Sequence, residues 1–454
     1  MKNKNILIFI VLLVSFIKGL MWIALIPLFD TPDEPVHFDY VQKIAETNKI
    51  FFNKYDKKDI YQSEEVDLAA KYSGLMRIYH SRLNKINFTG NETGENENRI
   101  NTLPVCLRRT NTNISAISIQ YPPLYYMYSS IPYNIFYNSS IITRVFAVRI
   151  FSLLLGLLTI FMVYKIAGLI FNKQKYIPAF ISLLVSFNPM YTFISVSVNS
   201  DNLLTLLFTL FLYYYLKIFL TKYKIRDVIF LLFVLLLGIF TKQQFALSLI
   251  ILFIPFCFAK EYPLKTKIIG GVVCFSFLFL AVLNLKNNFP VPVFIEKIGK
   301  VYEYFHEDFI PFFFVDMPYS FFGDFGWLNL PIPPLASRVL LVLSVTCILF
   351  YIFDIYKAVF KKRPFLPLKI HILLLIPLVI YTMSLVYIDC NIKFGLQGRY
   401  FFPIIAFIYI CMTSGLLSVV SKKDHVKYLA VISVTAVLFN IYCLMIIILP
   451  RYYL

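Results

Sequence analysis

Apolar stretches of about 20 residues recur along the whole chain and are separated by shorter polar segments. Each stretch is long enough for a helix to cross roughly 30 Å of hydrocarbon, whereas a membrane β-barrel would show alternating segments of about ten residues. The pattern therefore predicts an all-α polytopic membrane protein with about eleven transmembrane helices. The predicted spans are 5–29, 146–170, 176–197, 202–220, 227–240, 244–259, 268–285, 335–356, 368–388, 401–420 and 428–449.

The polar segments predict a single membrane domain over 1–454, with a large first external loop at 30–145 and a second at 286–334. Within the first loop we expect interfacial helices near 33–46 and 121–137. The segment 121–137 is short, rich in Tyr and begins with prolines, which favours the headgroup level over a crossing. The apolar N-terminus exceeds a typical signal-peptide core and lacks an A-x-A-like site, so we expect it to remain as the first helix.

The distribution of Lys and Arg among the loops predicts the orientation in the cell membrane. With a cytoplasmic N-terminus, the loops FNKQKY, LTKYKIRD, KEYPLKTK, 357–369 and SKKDHVK lie on one side, and all are basic. Cytoplasmic loops of membrane proteins carry an excess of Lys and Arg. We therefore expect both long loops, the turn NSDN and the segments TKQQ and GLQGRYFFP at the external face.

Composition agrees with this membrane assignment, because 59% of the residues are hydrophobic and the mean hydropathy is +0.71. The formal net charge of +18 would also suit a nucleic-acid partner. The basic loops account for that charge through the orientation rule, so the expected partner is the lipid bilayer and not a nucleic acid.

The first polar stretch, TPDEPVHFDY, places three carboxylates and a histidine at the membrane edge. On a helix, Asp33, Glu34 and His37 can converge on one side of its first turn. Glu-x-x-His is a metal-ligand spacing, and a carboxylate beside an imidazole can alternatively act as a general base. A helix start also favours acidic residues on electrostatic grounds alone. We predict a reactive cluster at these three positions.

Other polar residues of the predicted external face are candidates for the same site. Asp201 lies in a turn between two apolar helices, and acidic groups at membrane depth tend to be functional, although Asp also suits a turn. Lys242 and Arg399 are external cations that suit an anionic phosphate, although such side chains also reach lipid headgroups. Further loop contacts are expected from Tyr121, Asp324 and Trp327.

Several of these stretches together resemble the GT-C-fold membrane glycosyltransferases, which use polyprenyl-phosphate-linked sugars at the external face. The resembling stretches are TPDEPVHFDY, QYPPLYYMY, RIFSLLLGLLTIFMVYKIAGLIF, FNPMYTFISVSVNSDNLL and GIFTKQQFALSLIILFIP. A nearer resemblance is to an uncharacterised family of predicted prokaryotic membrane proteins. That family shares D-E-P-x-H, a loop similar to FFGDFGWLNLPIP and a late G-R-Y-x-F-P motif, here GRYFFP.

The resemblance to the glycosyltransferases implies roles for individual residues. It implies that Asp33 is the catalytic carboxylate that activates the acceptor, with Glu34 as its partner or as a metal ligand. Asp201 matches the acid of the second loop, and Lys242 matches a lysine near the lipid phosphate. Arg399 fits a contact to the phosphate or to the lipid carrier.

His37 departs from the common Asp-Glu pattern of that superfamily. An imidazole could replace a cation or bind one, so a divalent cation, Mg²⁺ or Mn²⁺, held by Glu34 and His37 remains open at this stage.

The function implied is an inverting transfer of a sugar from a polyprenyl-phosphate-linked donor to an envelope acceptor, which could be a lipid, a glycan or a protein. The alternatives are a non-catalytic membrane assembly or binding protein and a glycolipid transporter. A transporter is expected to show charges in the middle of its helices and internal repeats, and the sequence shows little of either.

Overall fold

The computed structural model describes residues 2–50, 60–74, 90–115, 119, 121–172, 174, 176–221, 224–258, 303–392 and 395–453. The predicted span 268–285 and the first part of the predicted loop 286–334 lie outside these residues. The described chain is mostly helical, which confirms the predicted fold class of a polytopic α-helical membrane protein.

The helices, and the few short strands between them, follow one another along the chain. In chain order they are α1 (Lys2–Leu25), α2 (Glu34–Thr47), β1 (Tyr61–Ser63), α3 (Glu64–Tyr72), α4 (Gly90–Asn101), β2 (Asn111–Ser115), α5 (Leu124–Ile135), α6 (Ile141–Ile170), α7 (Ile177–Ser186), α8 (Pro189–Ser195), α9 (Asp201–Leu220), α10 (Ile225–Ile239), α11 (Leu247–Phe258), α12 (Met317–Phe322), β3 (Asp324–Phe325), β4 (Leu330–Pro331), α13 (Pro334–Val359), α14 (Leu368–Ile392), α15 (Ile405–Val419), α16 (His425–Tyr442) and α17 (Leu449–Tyr453). Short 3₁₀ turns lie at Val105–Arg108, Gln243–Ala246 and Gly398–Ile404, and π-helical turns lie at Phe305–Phe309, Phe312–Asp316 and Cys443–Ile448.

Seven helical segments of the described chain are long and apolar enough to cross a membrane. They are Ile6–Leu25, Ile141–Ile170, Asp201–Leu220, Pro334–Val359, Leu368–Asn391, Gly398–Val419 and His425–Tyr453. The pair α7 and α8 would make an eighth span, but the two helices meet at 68°. The described residues thus give seven or eight spans, and the predicted count of about eleven is not confirmed.

Local sequence explains the break between α7 and α8. Pro189 disfavours the helical conformation of the residue before it, and Asn188 accordingly has an extended backbone. The Asn188 side chain then caps the new helix by accepting a hydrogen bond of 2.9 Å from the Tyr191 amide. The predicted continuous span 176–197 therefore becomes two short helices inside the bundle.

The described part of the first loop is fastened to the start of α6 by buried ion pairs. Arg144 on α6 donates to Glu65 at 2.5 Å, and Arg108 lies 3.4 Å from the same carboxylate. Arg108 also lies 3.7 Å from Glu46 at the end of α2, and Glu46 accepts a hydrogen bond of 2.9 Å from Tyr133 on α5. The helices α2, α3 and α5 are thereby held over one end of the membrane bundle.

Candidate active site

The beginning of α2 presents Asp33 in an unusual backbone conformation. Asp33 has φ of 63°, in the left-handed region, and α2 starts immediately after it with Pro35 in its first turn. Asp and Asn adopt this conformation more readily than most residues with a side chain. Half of the Asp33 side chain stays exposed, so its carboxylate is accessible although Glu34, Pro35 and His37 in the first turn are buried.

Four charged residues from distant parts of the chain form two ion pairs beside this helix start. Arg399 Nη2 lies 3.2 Å from Asp33 Oδ2. Lys242 Nζ donates to Asp201 Oδ1 at the first residue of α9. We call these four residues, together with His37, the charged cluster. The charges of all four act on the His37 imidazole, so the structure brings together five of the residues singled out in the sequence.

His37 is held between two tyrosines at the edge of the charged cluster. Its ring stacks on Tyr121 at 5.9 Å and on Tyr126 at 5.8 Å between centroids, and its Nδ1 shares a hydrogen bond of 2.8 Å with the Tyr126 hydroxyl. The Lys242 ammonium lies 5.3 Å from the centroid of the Tyr121 ring. Tyr121 therefore links His37 to Lys242, which places this predicted loop contact in the site.

Arg399 owes its position to the glycine that precedes it. A Cβ on Gly398 would lie 2.4 Å from the Phe321 backbone nitrogen, so only glycine allows this close approach to α12. The Gly398 amide also donates to Ser320 Oγ at 2.7 Å. The guanidinium that follows is buried, with its carbon 5.3 Å from the Tyr400 ring centroid, and its Nε and Nη1 atoms have no hydrogen-bond acceptor among the described residues.

Glu34 is fully buried and has its hydrogen-bond partners outside the charged cluster. Its two carboxylate oxygens accept hydrogen bonds of 2.8 and 2.6 Å from Arg149 on α6, and Oε1 also accepts from the Val198 amide at 3.1 Å. Arg149 further donates to the carbonyl oxygens of Ile26 and Pro27, both at 2.7 Å. The structure therefore separates Glu34 from Asp33 and His37, with which the sequence grouped it.

The other two predicted loop contacts belong to the segment after α12. Asp324 lies in β3, where it pairs with Pro331 of β4 in a short antiparallel ladder. Trp327 donates from Nε1 to the Phe29 carbonyl at 3.1 Å, which ties this segment to the end of α1. Trp327 thus holds this segment against the residues that follow α1, whereas Asp324 shapes the segment itself.

The donor groups at the site do not fit a divalent cation held by Glu34 and His37. Both oxygens of Glu34 are occupied by Arg149, and Nδ1 of His37 shares a hydrogen bond with Tyr126, which leaves Nε2 as the one nitrogen of His37 that could bind a cation. Asp33 and Asp201 each face a cationic side chain instead of further oxygen ligands. No group of three or more His, Cys, Asp or Glu side chains in the described chain is arranged to hold a metal ion.

Sequence reasoning missed two residues that organise the site. Arg149 lies inside an apolar helix, and a charged residue in such a position is a known signal for function or pairing. Tyr126 belongs to an aromatic run that equally suits a membrane interface, so its contact with His37 could not be distinguished in advance.

We expect the stability of the protein to depend on pH through His37. Burial lowers the pKa of His37 from 6.5 to about 4, with Lys242 and Arg399 acting in the same direction and Asp33 and Asp201 opposing. Between these values the unfolded chain binds a proton that the folded chain does not, so the free energy of unfolding falls as the pH falls, by up to about 1.4 kcal/mol per pH unit.

The variant His37→Phe retains the aromatic ring and removes this titration. In detergent, the melting temperature of His37→Phe should fall less than that of the unmodified protein between pH 6.5 and 5. If the melting temperatures of the two proteins changed equally with pH, the pH dependence could not be assigned to His37.

Comparison with one solved structure supports the architecture described above. The oligosaccharyltransferase of Archaeoglobus fulgidus, solved with Zn and sulfate, matches with a TM-score of 0.50 and 14% identity over 95% of this chain and 52% of that chain. ArnT from Cupriavidus metallidurans in the apo state matches with a TM-score of 0.46 and 13% identity over 96% of this chain and 63% of that chain. The first likeness supports a GT-C-like fold and nothing finer.

This chain spans about half the length of the oligosaccharyltransferase that it matches. No curated protein matches it. A family model described as "Predicted membrane protein (DUF2142)" matches residues 16–408, which is most of the chain. The protein therefore belongs to this family of predicted membrane proteins.

Proposed function

We propose that this protein is a glycosyltransferase that moves a sugar from a polyprenyl-phosphate-linked donor to an envelope acceptor at the external membrane face. The observation that carries the proposal is the charged cluster, in which acids and cations from four distant segments meet in a fold of GT-C type. Such a reaction requires a base for the acceptor and cations for the departing phosphate, and this cluster offers both.

The proposed reaction uses Asp33 as the base. The acceptor hydroxyl attacks the anomeric carbon of the sugar, its proton passes to the Asp33 carboxylate, and the bond between that carbon and the phosphate oxygen breaks. Attack from the side opposite the phosphate inverts the anomeric configuration. Asp33 suits this role because half of its side chain is exposed and can meet an acceptor.

Lys242 and Arg399 are proposed to stabilise the negative charge that develops on the phosphate. Burial alone would lower the pKa of Lys242, but the negative charge of Asp201 outweighs it and raises the pKa above 10.5, so the amine stays protonated. A buried donor without an acceptor costs about 1–3 kcal/mol. A phosphate oxygen would satisfy the two nitrogens of Arg399 that lack acceptors.

The role of His37 in this proposal is to position its neighbours and not to carry charge. Because its pKa is lowered chiefly by burial to about 4, the imidazole is neutral near pH 7. A neutral ring stacked on Tyr121 holds that tyrosine below the Lys242 ammonium. The proposed steps do not involve a metal ion.

Binding of a long-chain polyprenyl monophosphate tests the phosphate contact. Arg399→Gln should weaken this binding about 10- to 100-fold, because charge-assisted hydrogen bonds contribute about 1.5–3 kcal/mol. Arg399→Lys keeps the charge but loses the planar fork and should give an intermediate affinity. Equilibrium binding of the radiolabelled lipid to purified protein measures both.

Lys362 is exposed in the basic loop 357–369, and its replacement provides the control for the loss of one positive charge. Lys362→Gln should bind the polyprenyl monophosphate as the unmodified protein does. If a folded Arg399→Gln variant bound the lipid as tightly as the unmodified protein, Arg399 would not bind the phosphate. The proposal of a polyprenyl-phosphate donor would then lose its main support.

A further inference from the structure

A cavity of about 260 Å³ opens at the end of the bundle away from the charged cluster. It lies beside the last turns of α6 and the middle of α9. Gly168 on α6 is 19 residues after Arg149, which corresponds to about 28 Å along the helix. The lining residues are Tyr164, Lys165, Gly168, Leu169, Phe171, Asn172, Gln174, Pro178 and Tyr213. This cavity is therefore separate from the candidate active site.

Among the described residues, the lining combines one exposed ammonium group with several neutral polar groups. Lys165 is exposed, and its Nζ lies 5.7 Å from the Phe161 ring centroid. The other polar residues of the wall are Asn172 and Gln174, which carry amides, and Tyr164 and Tyr213, which carry hydroxyls. Gln174 Oε1 is buried and accepts no hydrogen bond from the described residues. An occupant that carries one negative charge and hydroxyl donors would complement these groups.

The surroundings of the cavity place it among basic loops. Phe171 in its wall packs against Phe365 at 6.0 Å between ring centroids, and Phe365 packs against His425 at 5.8 Å. These two contacts join the cavity to loops that expose several cations. They are Lys361, Lys362, Arg363, Lys369, Lys422, Lys423 and Lys427. A face of this kind is attracted to anionic lipid headgroups.

Space for an occupant is available at Gly168 in particular. A Cβ built on Gly168 meets no atom within 4 Å, so the helix leaves this part of the cavity open. Glycine inside a helix costs about 1 kcal/mol relative to alanine. Gly168 therefore offers a position at which the cavity can be filled without disturbing the packing of α6.

We propose that this cavity binds the headgroup of an anionic phospholipid that carries free hydroxyls, of the phosphatidylglycerol type, from the leaflet opposite the charged cluster. Lys165 contacts the phosphate, and the amides of Asn172 and Gln174 contact the hydroxyls. The aromatic side chain of Tyr213 lies where the acyl chains join the headgroup, as tyrosines do at membrane interfaces. The assignment is independent of the proposed sugar transfer.

Native mass spectrometry of the delipidated protein with added phosphatidylglycerol tests the site. Lys165→Gln removes the charge and Gly168→Leu fills the cavity, and each should lower the affinity for phosphatidylglycerol at least tenfold. Gly168→Ala adds only one methyl group and should retain binding. Melting curves in detergent establish that each variant is folded before its binding is interpreted.

Two comparisons distinguish specific binding of the lipid in the cavity from its general electrostatic attraction to the basic loops. Lys362→Gln removes an equal charge outside the cavity and should leave the affinity unchanged. The proposal would be overturned if Lys362→Gln and Lys165→Gln lost affinity for phosphatidylglycerol equally. It would also be overturned if a folded Gly168→Leu variant kept the full affinity.

Two further ligands test the chemical class. Phosphatidylethanolamine lacks the net charge and the glycerol hydroxyls and should bind more weakly, so equal binding would overturn the assignment. Soluble glycerol phosphate should compete poorly, and effective competition would identify a soluble phosphoester as the ligand instead of a lipid.

Discussion

Replacing Asp33 with Asn should reduce sugar transfer at least about 100-fold, because the variant loses the group proposed to take the acceptor proton. Asn has nearly the same shape, tolerates the left-handed backbone at this position, and its oxygen can still accept from Arg399. The loss should therefore appear in the chemical step. The measurement is transfer from a polyprenyl monophosphate carrying a radiolabelled hexose, in membranes that contain the protein.

A matched control for this experiment is Asp308→Asn, because Asp308 is an exposed carboxylate outside the charged cluster. It should transfer as the unmodified protein does. Binding of polyprenyl monophosphate by Asp33→Asn should stay within a few fold of the unmodified protein. Undiminished transfer by Asp33→Asn would show that residue 33 is not the base.

Replacing Arg149 with Met should cost about 3–5 kcal/mol in the free energy of unfolding, because it leaves the Glu34 carboxylate buried without its partner. Arg149 also satisfies the carbonyls of Ile26 and Pro27, which would lose their hydrogen bonds. Unfolding by denaturant in detergent micelles measures the loss.

The ion pair between Lys71 and Asp67, in which only the lysine is exposed, supplies the comparison for this prediction. Half of the Lys71 side chain is exposed, so Lys71→Met should cost at most about 1 kcal/mol. A double variant with Glu34→Gln and Arg149→Met should be less destabilised than the sum of the two single variants, since the double variant leaves no unpaired buried charge. A cost for Arg149→Met as small as that of Lys71→Met would contradict a structural role for the buried pair.

The membrane architecture and the positions of Asp33, Asp201, Lys242 and Arg399 could be predicted from the sequence because each depends on a local signal. The length of an apolar stretch predicts a membrane span. The Lys and Arg content of the loops predicts the side of the membrane on which each loop lies, and this groups residues that are far apart in the chain. The structure brings these four side chains into two ion pairs. Which acid pairs with which cation was beyond the sequence, since no spacing rule links residues from separate helices.

The direction of Glu34 could not be predicted, because local spacing allows two outcomes. Asp33 lies before the first residue of α2 and has a left-handed backbone, so the helical spacing that would group it with Glu34 and His37 does not apply to it. Arg149 decides the outcome from a helix that lies more than a hundred residues further along the chain. The bend within the predicted span 176–197 could not be predicted for a similar reason, since it depends on a cap at Asn188 that propensity alone does not reveal.

The positive φ of Asp33 has a consequence for how natural variation at this position should be interpreted. Glutamate could serve as a proton acceptor, but its longer side chain adopts that backbone less readily than Asp, Asn or Gly do. Persistence of aspartate among homologues would therefore reflect backbone geometry as well as chemistry. Natural homologues with Asn or Gly at this site would be the informative ones, because they would satisfy the fold while lacking the carboxylate.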